Sequence, residues 1–214
     1  MFLKFEQETI DAGGIKINLV RGGSGPPVLL LHGYPQNHVM WHEIAPVLAQ
    51  HFTVVASDLR GYGNSTKPEA GADHAGYSKR ASAADQVAVM AALGFEKFAL
   101  VGHDRGARVA HRLALDHPER VQRLALIDIV PTYTAFADTD MEKAMGYYHW
   151  FFLAQPFDLP ERLIGNDPLF YLHWCLKSWG GGKLDYFYTE ALAEYERCFA
   201  DPAVIHSSCE DYRA

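Results

Sequence analysis

The stretch VGHDRGARV at residues 101–109 decides the fold class of this chain. It follows the apolar run KFALV and opens a helical pattern, so it predicts a sharp strand-to-helix turn that lifts one side chain above a sheet. Gly102 and Gly106 flank the turn, where a Cβ atom would crowd the neighbouring strand and helix. Asp104 takes the raised position, where serine is usual, and we interpret it as a carboxylate nucleophile. The alternative is that Asp104 only caps the following helix.

Apolar runs and helical patterns alternate on both sides of this turn. FLKFEQETI and IKINLV are separated by residues 11–14 and predict a hairpin. PPVLLLHGYP, FTVVASD, KFALVGHD and RVQRLALIDIVP contain runs that are apolar at successive positions, which is typical of buried parallel strands. Helices are predicted near residues 40–50, where Pro46 interrupts the pattern, at 82–93 and after Asp104. The order predicts an α/β fold with a mostly parallel sheet.

The chain changes character after Pro131, where aromatic residues become dense. MEKAMGYYHWFFLA, DPLFYLHWCLKSWG and DYFYTEALAEYERCFA each predict a helix. We expect an α/β core at residues 1–130 and an inserted helical lid at 131–214, because sites in open sheets lie at the carboxyl ends of strands. A plain helical subdomain is the alternative. The chain ends at DYRA inside the lid, so we expect the lid to be truncated and the C-terminal strands and helix of the fold to be missing.

Composition excludes several classes of function. The net charge is −7 with the histidines neutral, and no basic stripe is available for nucleic acid or for an anionic membrane surface. The three cysteines form no CxxC pair, and the histidines show no HExxH spacing, so we predict no disulfide framework, metal or other cofactor. No signal peptide or membrane-spanning run is visible. We therefore expect a cytoplasmic protein.

Four motifs carry a resemblance to a known family. VLLLHGYPQ, DLRGYGNS, GHDRGARV and LIDIVP resemble the α/β-hydrolase superfamily, and GHDRGAR with the later pair His149-Trp150 is similar to the fluoroacetate dehalogenases within it. The resemblance covers essentially the whole chain. It implies a hydrolase that converts fluoroacetate, or another small 2-haloacid, and water to a hydroxy acid and halide through an ester on Asp104. It also allows a homodimer.

Backbone amides and two arginines are predicted to surround Asp104. In hydrolases of this architecture the loop after the third strand and the residue after the nucleophile form the oxyanion hole, here the N–H groups of Tyr34 and Arg105. Arg105 and Arg108 lie three residues apart, on neighbouring positions of one helix face. Two guanidinium groups at a helix N-terminus would form a receptor for the substrate carboxylate. The alternative is a pair of solvated surface arginines.

The resemblance implies that His149, Trp150 and Tyr212 bind the departing halide. Tryptophan Nε1–H only donates and a tyrosine hydroxyl donates readily, so these residue types suit a small hydrated anion. Without the resemblance, His149 and Trp150 within YYHWFF would more simply belong to a helix core. Tyr212 stands two residues from the end of the chain.

Hydrolysis of an aspartyl ester also needs an acid–histidine pair. Asp128 ends its predicted strand and fits the acid, with a plain turn residue as the alternative. The resemblance implies a base histidine on a loop after the lid, beyond residue 214. Three other functions stay open: a haloalkane dehalogenase, an epoxide hydrolase, and a non-catalytic binder of small carboxylates. Haloalkane dehalogenases typically have Trp where this chain has Arg105, which favours an anionic substrate.

Overall fold

The computed structural model describes residues 1–214, and its centre is one sheet of six strands. The strands are β1 (Glu6–Asp11), β2 (Lys16–Gly22), β3 (Pro27–Leu31), β4 (Thr53–Ser57), β5 (Phe98–His103) and β6 (Val121–Ile127). Their order across the sheet is β1-β2-β4-β3-β5-β6. β1 and β2 form the predicted antiparallel hairpin, β2 pairs antiparallel with β4, and the remaining pairs are parallel. The predicted mostly parallel α/β fold is confirmed.

Alternate residues of the central strands enter two separate cores. Leu29 and Leu31 of β3 belong to a large apolar cluster on one face of the sheet. Val28 and Leu30 belong to a smaller cluster on the other face. All four side chains are buried. The continuous apolar run of β3 therefore arises because both faces of that strand are covered, as in parallel sheets generally. The prediction that β6 is buried in the same way was wrong, because β6 lies at the edge of the sheet and residues 122–127 are exposed.

Ten α-helices accompany the sheet, and their bounds differ in places from the predicted ones. Pro46 shortens the first helix, because the segment before it forms a 3₁₀ turn and the α-helix begins only at Ile44. MEKAMGYYHWFFLA is split at Tyr147 into two helices. The helices are α1 (Ile44–Leu48), α2 (Lys79–Ala92), α3 (Arg105–Asp116), α4 (Thr132–Ala137), α5 (Met141–Gly146), α6 (Tyr148–Leu153), α7 (Leu159–Asn166), α8 (Pro168–Trp179), α9 (Thr189–Phe199) and α10 (Pro202–Arg213).

Helices α4, α7 and α10 were not among the predicted elements. α10 nevertheless has a local start signal, because the Asp201 side chain accepts a hydrogen bond from the Ala203 amide and Pro202 takes the first helical position. Asp167 and Pro168 begin α8 in the same way. No helix of the structure is both long and apolar enough to cross a membrane. The division of the chain at residue 130 stays a prediction.

Asp58, just after β4, accepts hydrogen bonds from three separate segments of the chain. Its carboxylate accepts hydrogen bonds from the His38 amide at 2.8 Å, His38 Nδ1 at 2.7 Å, Asn18 Nδ2 at 2.8 Å and the Asn64 amide at 2.9 Å. Burial alone would raise the pKa of Asp58, but the neighbouring His38 holds it well below its usual range. The carboxylate is therefore ionised and fully paired in the core.

We expect Asp58→Ala to lower the free energy of unfolding by about 3–5 kcal/mol, because it leaves buried donors without an acceptor. Asp201→Ala, a matched change at the exposed cap of α10, should cost about 1 kcal/mol. Urea unfolding of both variants checks the difference. Equal losses would show that Asp58 contributes no more than a surface cap.

Candidate active site

Asp104 stands at the predicted strand-to-helix turn between β5 and α3. Its backbone has φ +47° and ψ −115°, a conformation that non-glycine residues rarely adopt. A Cβ atom on Gly106 would lie 2.4 Å from the carbonyl oxygen of His32, and one on Gly102 would lie 2.5 Å from that of Gly106. Both glycines are thus required by close backbone approach, as predicted. The Asp104 side chain makes no capping hydrogen bond to α3, so the structure does not show the alternative of a helix cap.

The loop after β3 aims a backbone donor at the Asp104 carboxylate. The amide of Tyr34 donates to Asp104 Oδ1 at 2.8 Å. Arg105 is the first residue of α3, where helical N–H groups have no acceptor within the helix. One of the two amides predicted for the oxyanion hole therefore already contacts the carboxylate, and the other lies on the next residue of the turn.

A cavity of about 950 Å³ opens over the carboxyl ends of β3, β5 and β6. Helices of the 132–213 region lie over these strand ends and form much of its wall. Six of the residues predicted for the site line the cavity: Tyr34, Asp104, Arg108, Asp128, His149 and Trp150. Arg105 and Tyr212 do not line it and are described separately below.

Arg108 is a buried guanidinium without a carboxylate partner. It is 7% exposed, and no Asp or Glu lies within salt-bridge distance of it. Nη1 donates to Thr132 Oγ1 at 2.7 Å and more weakly to the Val130 carbonyl at 3.3 Å, while Nε has no acceptor. The Trp150 ring lies beneath the guanidinium, 4.4 Å from Cζ to the ring centroid. Burial and then the charge of Arg105 lower the pKa of Arg108. A buried unpaired cation at a cavity wall can bind an anion.

Arg105 and Tyr212 pack against each other beside the cavity. The Arg105 guanidinium stacks on the Tyr212 ring, with Cζ 3.9 Å from the centroid, and its Nε donates to Asp211 Oδ2 at 2.6 Å. Both Arg105 and Asp211 are buried. The two predicted arginines therefore differ, because Arg105 has an acidic partner and Arg108 has none.

Aromatic rings around His149 leave buried polar atoms without partners. Tyr212 lies edge-on to His149 at 5.9 Å between centroids and to Tyr34 at 5.4 Å, and Trp179 packs on His149 at 4.5 Å. The Tyr212 hydroxyl and His149 Nδ1 are buried and have no hydrogen-bond partner. Unsatisfied buried polar groups are uncommon and mark a place where a ligand can complete the bonding.

His149 is neutral at physiological pH. Burial, and secondarily the charge of Arg105, lower the pKa of His149 to about 3. A histidine with a folded pKa below the unfolded value stabilises the fold above the unfolded pKa and loses that contribution as pH falls. A neutral imidazole has one donor nitrogen, which is what an anion requires.

Between pH 8 and pH 5 we expect the free energy of unfolding of the parent chain to fall by about 2 kcal/mol more than that of His149→Gln. The reason is that the His149 imidazole is protonated over this range in the unfolded chain but not in the folded chain. Urea unfolding of the two proteins at each pH gives the difference directly. Parallel pH profiles would show that the His149 pKa is not lowered.

Asp128 follows β6 at the rim of the cavity. Its side chain is 84% exposed, and its nearest histidine is His103, with Nε2 4.0 Å from Oδ2. His103 directly precedes Asp104, lines the cavity and has a buried Nδ1 without a partner. The predicted role of Asp128 as the acid of an acid–histidine pair stays a prediction.

One group of side chains outside the cavity has ligand atoms spaced as for a metal ion. Glu161, His206 and Glu210 bring one ligand atom each within 4.8 Å of the others. Arg213 Nη1 already donates to both carboxylates at 2.6 Å, so a cation of the chain itself pairs with both acids of this group. The expectation of no metal remains a prediction.

Several residues around the site were missed in the sequence. Asp211 pairs with Lys79 and with Arg105, each more than 100 positions away in the sequence, and no local spacing reveals these pairs. Trp179 touches His149 from a different helix, although its place just before the glycine run at 180–182 is a signal that a helix ends beside the cavity.

The fold and the strand-to-helix turn at Asp104 are those of an α/β hydrolase. The family model of the α/β hydrolase fold matches residues 26–195, and the chain belongs to this family. A crystal structure of an α/β hydrolase from Nostoc sp PCC 7120 superposes with a TM-score of 0.97 at 62% identity, covering 100% of this chain and 73% of that one.

Two curated relatives narrow the comparison. The chain is 54% identical to a fluoroacetate dehalogenase from Burkholderia sp over 214 residues, which are 100% of this chain and 70% of the relative. It is 37% identical to a soluble epoxide hydrolase from Corynebacterium sp. (strain C12) over 206 residues, 93% of this chain and 68% of the relative. The resemblance seen in the motifs is thus confirmed over the whole chain.

Proposed function

We propose that this chain is a hydrolase acting on carbon–halogen bonds, and that its substrate is a small 2-haloacid such as fluoroacetate. One observation carries the proposal. The cavity has a carboxylate at the nucleophile position, Asp104, and also a buried cation without an acidic partner, Arg108. The similarity to a fluoroacetate dehalogenase supports the same class of reaction. Arg108 matches the charge of a monocarboxylate, because Arg105 is already paired with Asp211.

The first step is displacement at the carbon that bears the halogen. One oxygen of Asp104 attacks that carbon, a carbon–oxygen bond forms, and the carbon–fluorine bond breaks with its electron pair leaving on fluoride. Oδ1 is held by the Tyr34 amide at 2.8 Å, so Oδ2 is the oxygen free to attack. The result is an ester between Asp104 and the acid.

Fluoride departs into the aromatic cluster in this proposal. The Tyr212 hydroxyl and one nitrogen of neutral His149 have no protein partner, and both can donate to an anion. Trp150 lines the cavity together with His149 and offers its Nε1–H. Several donors directed at one point replace the water shell that fluoride loses.

The second step is attack of water on the carbonyl carbon of the Asp104 ester. The ester oxygen that becomes negative is Oδ1, which already accepts from the Tyr34 amide. The amide of Arg105 is the second donor of the oxyanion hole. Cleavage of the acyl–oxygen bond restores the carboxylate and releases the hydroxy acid, and a general base takes the proton of the water.

The arginines set the substrate class. Arg108 reaches the cavity with Nε and Nη2 uncommitted to any acid, and Arg105 has Nη1 free of protein acceptors. Together they would fix the carboxylate so that the adjacent carbon faces Asp104. The positive charges also offset repulsion between the anionic substrate and the nucleophile.

Epoxide hydrolysis is the second candidate. The 37% identity to a soluble epoxide hydrolase favours it, and the hydroxyl-bearing Tyr147 lines the cavity. An Asp nucleophile would open the epoxide, and a tyrosine would protonate the oxygen. A neutral epoxide leaves the buried charge of Arg108 unmatched, so we place this function second.

The deciding experiment measures fluoride released from fluoroacetate and the intact mass of the protein. We expect at least one fluoride per chain and a mass adduct that maps to Asp104. Release beyond one equivalent shows that the ester is also hydrolysed. No fluoride release, together with diol formation from a terminal epoxide, would replace the proposal by the second candidate.

A further inference from the structure

The last turn of α10 forms a buried ionic cluster beside the cavity. Asp211 is 4% exposed, and its carboxylate accepts from Arg105 Nε at 2.6 Å and from the Tyr62 hydroxyl at 2.9 Å. Lys79 pairs with the other carboxylate oxygen. Burial would raise the pKa of Asp211, but Arg105 and Lys79 hold it well below its usual range. The cluster is therefore ionised at neutral pH.

Two adjacent residues of α10 fix the Arg105 guanidinium from two directions. Asp211 holds one edge, with Nε on its carboxylate and Nη2 on its backbone carbonyl. Tyr212 holds the face, with its ring centroid 3.9 Å from Cζ. Nη1 is the nitrogen left without a protein acceptor. The plane of the guanidinium and the direction of its free nitrogen are thus both set by α10.

We propose that Asp211 is a positioning residue for substrate binding, because it holds the Arg105 guanidinium beside the cavity and leaves Nη1 free of protein acceptors for the substrate carboxylate. The inference rests on the function proposed above. Asp211 acts through Arg105 and does not itself touch the substrate. Its place next to Tyr212 means that one helix end supports both a carboxylate-binding group and a halide-binding group.

Charge balance alone does not account for this arrangement. Lys79 already neutralises Asp211, so the pair with Arg105 is not needed to compensate the buried carboxylate. A long arginine side chain loses rotamer freedom when it binds a ligand, and holding it beforehand removes that cost from the binding step. Preorganisation of this kind strengthens substrate binding more than it changes the chemical step.

The test measures fluoroacetate binding by titration calorimetry in the Asp104→Asn protein, which cannot form the ester. Adding Asp211→Asn should weaken binding by about tenfold or more. The matched control is Glu210→Gln, because Glu210 is a buried acid on the same helix that pairs with Arg213 and His74 rather than Arg105. The control should change binding by less than about twofold, although both variants lose stability in urea.

A double variant separates positioning from charge balance. Asp211→Asn with Lys79→Met removes one charge of each sign, so the cluster keeps the net charge of the parent while Arg105 loses its carboxylate support. We expect binding to remain weak. Recovery to the reference affinity, or an unchanged affinity in Asp211→Asn alone, would overturn the positioning role. If the Asp104→Asn reference itself binds no fluoroacetate, the proposed function is wrong and the role of Asp211 in it falls as well.

Discussion

Asp104→Asn is expected to reduce fluoride release from fluoroacetate by about 10⁴-fold or more, because it removes the only group that can form the ester. An asparagine oxygen can still accept the Tyr34 amide at the position of Oδ1, so the turn should keep its geometry. Fluoroacetate should bind the variant at least as tightly as the parent, since the repulsion between two carboxylates is gone. Fluoride-selective electrode measurements and titration calorimetry check the two halves of this prediction.

The control for that variant is Asp116→Asn. Asp116 ends the same helix and pairs with Arg112 and Arg80, away from the cavity. The same chemical change there should leave fluoride release unaltered. Residual release above about 1% of the parent rate in Asp104→Asn would show that another group is the nucleophile. Loss of binding as well as release would instead show that the variant had damaged the cavity.

The strand-to-helix turn at Asp104 could be predicted because its constraints are local. Gly102 and Gly106 are needed where backbone atoms come within 2.5 Å of a built Cβ atom, and both lie within two residues of Asp104. The strand before the turn could be predicted because it is apolar at successive positions. A sheet covered on both sides leaves no polar face in the sequence.

The environment of Arg105 could not be predicted from the same stretch. Arg105 and Arg108 are equivalent in sequence spacing, yet only Arg105 has an acid, and that acid is 106 positions away. The pairing depends on how α10 packs over the sheet, and α10 was not a predicted element. Arg108 can therefore be recognised as the unpaired positive charge only in the folded chain, where Asp211 pairs with Arg105.

For Asp128 the strand pattern predicts the place in the fold but not the neighbouring side chains. The residue directly follows β6 at the rim of the cavity, as the strand pattern implies. A carboxylate that is 84% exposed and 4.0 Å from one imidazole nitrogen makes no hydrogen bond to it. Strand ends locate such residues, but their partners depend on loops that the strand pattern does not encode.

Arg108→Met is expected to raise the concentration of fluoroacetate that half-saturates fluoride release by about a hundredfold or more. The loss of one partner from a buried charge pair costs about 2–5 kcal/mol, and the substrate carboxylate would lose its one unpaired cation. Fluoroacetamide, which has no carboxylate, should react with parent and variant at similar rates. The discrimination between acid and amide therefore falls, and the measurement is the ratio of the two rates at matched concentrations.

Arg112→Met provides the control for the charge change, because Arg112 lies one turn further along α3 and pairs with Asp116 outside the cavity. It should leave the acid-to-amide ratio unchanged. A ratio that is unchanged in Arg108→Met would mean that Arg108 does not bind the carboxylate, and would favour a neutral substrate such as an epoxide. Because a buried guanidinium without an acid is costly to the fold, its retention at this wall is explained most directly by an anion that it binds during the reaction.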